Sequence, residues 1–159
     1  MATLRREISL DAPAENVWPA IRDFSQVHAR VAPGFLTALE MDNGDRIVTF
    51  FNGMVARERL VTVDDEACRL VYAVVEGRAS HYNASVQVYP GGDGCRIVWT
   101  IDLLPNELVT PERTPVGLFL VIIGDVALGM LAIVAFVYFH FVALKPAEEE
   151  AQRAKEEVV

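Results

Sequence analysis

The 159 residues predict an α+β fold, with a seven-stranded antiparallel sheet, two short helices after the first strand, and a long apolar helix at the end. Three observations carry this expectation. From Phe35 to Leu104, six runs of alternating or β-branched residues are separated by Gly, Asn, Asp and Pro. Between the first strand and these runs lies one amphipathic stretch at helical spacing. Residues 116–144, VGLFLVIIGDVALGMLAIVAFVYFHFVAL, carry no acid or base besides Asp125 and His140.

The chain opens on TLRREISL, a short strand ending at Asp11. Asp11 then reads as a helix cap, with Pro13 in the first turn, where no amide donor is missed, and Glu15 near the positive helix end. Val17, Trp18, Ile21 and Phe24 follow at helical spacing, and a second helical piece around Ser25 to Arg30 stops before Pro33-Gly34. The strands come next. FLTALEM runs into Asn43-Gly44, RIVTFF into Asn52-Gly53, and MVARERLVTV into Asp64-Asp65-Glu66, each break being suited to a hairpin. RLVYAVVEG, HYNASVQVY and RIVWTIDLL complete the meander. The last two are joined by Pro90-Gly91-Gly92-Asp93-Gly94, whose glycines fit a tight hairpin between antiparallel strands better than a nucleotide loop.

Alternation assigns faces. Tyr82, Ala84, Val86 and Val88 point inward opposite a polar set of His81, Asn83, Ser85 and Gln87, while Ile97, Trp99, Ile101 and Leu103 form the inward set on the last strand. For Glu58, with arginines on either side, alternation alone decides nothing. Two short helices leave much of one sheet face uncovered, and the apolar run is the remaining candidate to cover it.

ISLDAPAENVWPAIRDF, ARERLVTVDDEACRLVYAVVEG, HYNASVQV and CRIVWTIDLLP, in this order, resemble the START-like superfamily, which includes polyketide cyclase/dehydrase-like proteins, the birch-allergen type and the plant abscisic-acid receptors. The resemblance covers roughly residues 3–108. It implies a helix-grip fold, in which the sheet grips a long C-terminal helix across an apolar cavity. It further implies that Glu58 of RERL and Tyr82 of HYN face that cavity, with Tyr72 and Val74 on the neighbouring strand; for Tyr82, alternation agrees. With residues of the same faces added, the candidate ligand-binding set is Glu58, Leu60, Tyr72, Val74, Tyr82, Ala84, Trp99 and Ile101. The departure from the family pattern is NELVTPERTPVG, where Pro111 and Pro115 break any helix before the apolar run begins.

The expected organisation is therefore a START-like ligand-binding domain at 1–112, an apolar helix at 113–145 and an acidic, solvated tail at 146–159. A helix over 116–144 would be about 43 Å long at 1.5 Å per residue, against roughly 30 Å of hydrocarbon. Asp125 costs about 2.5–3.5 kcal/mol on insertion scales, which more than a dozen Leu, Ile, Val and Phe offset. A membrane anchor is the first reading of this run. The alternative is a grip helix, which would need burial or a second copy because it lacks a polar stripe.

Net charge of −8 without a basic stripe excludes a surface for nucleic acid. The N-terminus has no apolar stretch of the secretory type, so the expectation is membrane association with the N-terminal domain cytoplasmic, or a wholly cytoplasmic protein if the run is a grip helix. Cys68 and Cys95 read as reduced structural thiols, and His28, His81 and His140 share no ligand spacing, so neither a metal nor a cofactor is expected.

The function this reading favours is binding or transport of an apolar or amphipathic small molecule, of the lipid, quinone or polyketide class. A second is a polyketide cyclase or dehydratase in which Glu58 or Tyr82 moves a proton, since a carboxylate among apolar walls gains pKa. A third is an accessory subunit of a membrane complex. Binding is preferred because no second acid–base group accompanies Glu58. The expected partners are the small molecule, membrane lipid, and a second copy or a membrane protein docking through 116–144.

Overall fold

A computed structural model describes residues 1–76 and 79–106. The apolar helix expected at 113–145, with Asp125 and His140, and the tail at 146–159 lie outside the described residues. The elements are β1 (Ala2–Leu10), α1 (Ala14–Ile21), α2 (Val27–Arg30), β2 (Leu36–Asp42), β3 (Asp45–Phe50), β4 (Val55–Asp64), β5 (Arg69–Glu76), β6 (His81–Gly91) and β7 (Gly94–Leu104). All seven strands lie in one antiparallel sheet ordered β1-β7-β6-β5-β4-β3-β2. The first strand therefore pairs with the last, from Ala2 opposite Leu103 to Leu10 opposite Cys95.

The turns follow from their residues. Asn43 and Gly44 both adopt positive φ, 53° and 88°, between Asp42 and Asp45, as a two-residue hairpin loop requires. At the β6–β7 hairpin Gly91 pairs with Gly94, and Gly92 takes the positive φ. Gly94 is there for space: a Cβ would meet the Leu10 carbonyl oxygen at 2.3 Å, because the end of β1 closes over this hairpin. At the β4–β5 turn Asp64 accepts the Ala67 amide at 2.9 Å.

Helix α1 differs from expectation at its start. Its N-cap is Pro13 and no side chain caps it, so Asp11, which is exposed, does not perform that role. Pro13 stands one position earlier than predicted, at the cap, where its missing N–H also costs nothing. The helix is held by packing and by tertiary hydrogen bonds instead. Trp18 Nε1 donates to Asp65 Oδ1 at 2.8 Å and Arg22 to Asp65 Oδ2 at 2.9 Å, which ties α1 to the β4–β5 turn. Val17, Trp18, Ala20 and Ile21 are buried, and Phe24, past the helix end, joins them.

These side chains meet Leu10, Val86, Val88, Cys95 and Ile97 from the sheet in the main core. Each large apolar side chain so buried contributes about 1.5–3 kcal/mol. A second cluster, Ala32, Leu36 and Val48, lies beyond α2, with Phe35 and Phe50 packed on it. Between the two clusters the helices do not reach down to the sheet.

Candidate functional site

A cavity of about 110 Å³ occupies that gap, open on one side. Its ceiling comes from Ile21 at the end of α1, from Val27 of α2 and from Val31, Ala32 and Phe35 in the segment after it. Its floor is the inward face of β3 to β7, where Arg46, Val48, Phe50, Glu58, Leu70, Tyr72, Tyr82, Val86 and Trp99 line it. The walls are mostly apolar, and the charged groups among the lining residues are one pair.

That pair is Arg46 and Glu58, direct cross-strand partners on β3 and β4. Arg46 Nε donates to Glu58 Oε2 at 2.5 Å, and both side chains are buried. Arg46 Nη1 donates to the Phe24 carbonyl oxygen at 3.1 Å. The guanidinium carbon lies 4.0 Å from the centre of the Phe24 ring and 5.0 Å from that of Tyr72, so the cation is enclosed by two aromatic rings. Ion pairing, a carbonyl acceptor and ring contact together make burial of this charge tolerable.

Tyr72 stands between the pair and the far wall. Burial pushes its phenol well above the ordinary tyrosine value, the Glu58 carboxylate and Tyr82 add to the rise, and Arg46 and the Trp99 indole offset part of it. Tyr72 is therefore a neutral hydroxyl at all physiological pH. The Trp99 indole, its Nε1 buried, lies beside that phenol.

On the opposite face of the same strands, Asp45 is buried beneath Arg57 and Arg59. Arg59 grips it with two nitrogens, both at 2.9 Å, and Arg57 reaches it at 3.2 Å. The Arg59 hydrogen bonds lead in holding the Asp45 carboxyl below its ordinary value, with Arg57 adding to them against the opposing effect of burial. Arg57 also pairs with Asp42 and Glu76. The arginines flanking Glu58 thus face away from the cavity and clamp β2, β3, β4 and β5 from outside.

Of the expected site residues, the structure brings Glu58, Tyr72, Tyr82 and Trp99 together around the cavity. It does not bring the other four. Leu60, although paired with Tyr72, is 37% exposed and lies in a separate open depression with Pro19, Phe24 and Met41. Val74 is half-buried opposite Glu58, outside the cavity lining. Ala84 and Ile101 do point inward, but they are fully buried in the main core and do not line the cavity.

Glu58 also differs in kind from the lone carboxylate the sequence suggested. Its partner Arg46 was missed, although the signal was present: in RIVTFF, alternation puts Arg46 on the face of Val48 and Phe50. Val27, Val31 and Phe35 were missed because nothing local shows that an irregular segment bends over the sheet. Among the described residues no cluster of three or more His, Cys, Asp and Glu side chains comes together. Cys68 and Cys95 are free, and burial pushes the Cys95 thiol up.

A single antiparallel sheet of seven strands, two short helices between its first and second strands, and an apolar cavity between them define the helix-grip architecture of the START-like superfamily. Within it, the chain belongs to the family described as polyketide cyclase / dehydrase and lipid transport, whose model matches residues 1–122. Solved structures agree. A protein from Thermobifida fusca, solved by NMR, is 30% identical, with 88% of this chain and 96% of that one covered and a TM-score of 0.64. The protein XoxI from Bacillus cereus is 19% identical over 86% of this chain and 96% of its own, with a TM-score of 0.72. Norcoclaurine synthase from Thalictrum flavum is 22% identical over 87% of both chains, with a TM-score of 0.66. At such identities the last two likenesses concern the fold. No curated protein matches the chain.

Proposed function

We propose that this protein binds a small apolar or amphipathic molecule, of the lipid, quinone or polyketide class, in the cavity between α1, α2 and the sheet. The observation that carries the reading is a mostly apolar cavity whose charged groups satisfy each other, Arg46 Nε on Glu58 Oε2. A general base should present a free carboxylate to its substrate, whereas this one is committed to a cation. At about 110 Å³ the cavity is smaller than the roughly 300–1,000 Å³ of a site that encloses a whole drug-sized ligand. It therefore holds one end of a longer molecule or a single small ring.

Calorimetric titration with an acyl lipid, a quinone and an aromatic polyketide tests this. Saturable one-to-one binding with a negative heat-capacity change is expected for at least one class. Val86→Phe, which fills the cavity, should abolish it, and absence of binding across all three would sink the proposal. In a cyclase or dehydratase, by contrast, Glu58→Gln would stop turnover while binding survived; an accessory subunit would show neither effect.

We also propose that residues 116–144 tether the domain to a membrane, with residues 1–112 on the cytoplasmic side. The support is the composition of the run alone, 29 residues with Asp125 and His140 as the ionisable groups. Among the described residues, no helix is long and apolar enough to cross a membrane. The full chain should remain in the membrane pellet after an alkaline carbonate wash. Release as a soluble species would make the run a grip helix or a dimer contact.

A further inference from the structure

Two uncharged stretches meet at one end of the sheet. Residues 31–39 and 47–56 contain no acid or base, and the pairing of Leu36 with Phe50 lays them side by side. The β3–β4 turn projects Phe51, Met54 and Val55 from this end, and they are 55%, 36% and 62% exposed. Phe51 is fixed to the neighbouring stretch. Its N–H donates to the Phe35 carbonyl oxygen at 2.9 Å, and its ring lies 5.7 Å from that of Phe35. Phe35 in turn stands 5.6 Å from Phe50, and both line the cavity. An aromatic cluster therefore runs from the cavity wall out to a tip facing solvent.

The backbone of the tip suits apolar surroundings as well. The amides of Phe50, Phe51, Gly53 and Met54 donate to the carbonyls of Met54, Phe35 and Phe50 and to the Asn52 side chain, at 2.8, 2.9, 2.9 and 3.0 Å. Backbone that enters lipid has to satisfy its polar groups internally, and these amides are already engaged. Three protruding side chains are few for a stable protein interface, which takes about 20–30 residues a side. They are enough to enter the interfacial layer of a bilayer, a surface that deforms around them.

The two ends of the sheet differ in charge. At the end away from the tip, the β4–β5 and β6–β7 turns expose Asp64, Asp65, Glu66 and Asp93, which the anionic cytoplasmic leaflet of a membrane repels. The chain leaves the sheet at the tip's own end, where the antiparallel order brings the finish of β3, β5 and β7 together and β7 closes at Leu104 opposite His81. Residues 107–115 are all that separates this point from the apolar run, at most about 30 Å of extended chain. Resting on the tether proposed above, we infer that the β3–β4 tip is a second membrane contact. Phe51, Met54 and Val55 enter the interfacial layer and hold the Phe35 and Phe50 end of the cavity against lipid, from which the ligand is drawn.

The methionines supply the experiment. Met54 sits at the tip, Met41 lies toward the other end of the β2–β3 hairpin opposite Arg46, and Met130 belongs to the apolar run. Met41 is 44% exposed, as open to solvent as Met54, and stands about 13 Å farther along β3 at 3.3 Å per residue. The full chain, labelled with 13C on its methionine methyls, is placed in phosphatidylcholine nanodiscs that contain a lipid with a gadolinium chelate on its headgroup. The relaxation of each methyl is then read by NMR. Met54, seated about 5–10 Å into the interfacial layer, should relax at least about fivefold faster than Met41.

Phe51→Glu and Val55→Glu each put a charge on the tip, outside the cavity lining. Either should bring Met54 to within about twofold of Met41 while Met130 keeps its enhancement. Should Phe51→Glu fail to fold, because that ring packs on Phe35, the wild type and Val55→Glu still decide. Met54 relaxing no faster than Met41 while Met130 is enhanced overturns the inference, leaves the tether standing and hands the exposed side chains to a protein partner. No enhancement at either Met54 or Met130 overturns both. Enhancement at Met54 that neither glutamate reduces also overturns the inference, since the domain would then lie near the bilayer without the help of its tip. Enhancement at Met54 without Met130 upholds the contact and removes the tether.

Discussion

Arg46 is the residue whose removal should be felt most. Arg46→Met strands the Glu58 carboxylate among apolar side chains, and the expected loss is about 3–5 kcal/mol in urea unfolding. The double substitution Arg46→Met with Glu58→Leu should recover most of it, since a well-packed apolar pair often matches or exceeds a buried ion pair in stability. A single substitution as damaging as predicted, with no recovery in the double, would show that Arg46 acts through the Phe24 carbonyl and the two rings instead. Asp45, on the other face, makes a prediction in pH. Its carboxyl is held below the ordinary value by Arg59 first and Arg57 next, so its contribution is complete above the unfolded value of about 3.9 and is lost as pH falls through the lower folded value. Asp45→Asn should therefore be less stable than wild type at pH 7, with the gap narrowing below about pH 4; the urea midpoints at pH 7 and pH 3 measure it.

Elements depend on a few close approaches. Gly94→Ala places a methyl against the Leu10 carbonyl oxygen, a backbone atom that cannot step aside, and should cost about 1–3 kcal/mol. Gly91→Ala, across the same hairpin, has nothing within 4 Å and should be nearly neutral. Asp65→Ala removes the acceptor for both Trp18 and Arg22 and should loosen α1 by about 1–2 kcal/mol, seen as a lower unfolding midpoint. At this scale the sequence was read well where signals are local. Every strand was placed within a few residues, because Asn43-Gly44 and Pro90–Gly94 announce their turns and Tyr82 to Val88 alternate cleanly. The site was read half as well, for reasons that are not local. Leu60 shares the face of Glu58 but opens into a different depression, Ala84 and Ile101 are inward residues with no void above them, a difference that alternation in one dimension does not show, and the helix took Pro13 rather than Asp11 as its cap. Arg46 was legible and was passed over.

At the scale of the whole sheet, among the described residues β1 and β2 stand at its edges and the longest-range pairing joins β1 to β7. Local hairpins account for the other neighbours, so the refolding rate should be set by closure of that one pairing, on a timescale of about milliseconds to seconds. Stopped-flow tryptophan fluorescence reads it, since Trp18 and Trp99 both pack in this core. A submillisecond rate would show that the core forms before β1 is in place. The same pairing has a consequence during synthesis. β1 leaves the ribosome first, and its partner Leu103 is translated roughly a hundred residues later, a wait of about 5–20 s at ordinary elongation rates. For that interval the half-apolar segment Leu4, Ile8 and Leu10 has no strand to pair with, and the charged side chains between them, Arg5, Arg6 and Glu7, are what keep the nascent strand from finding a wrong one.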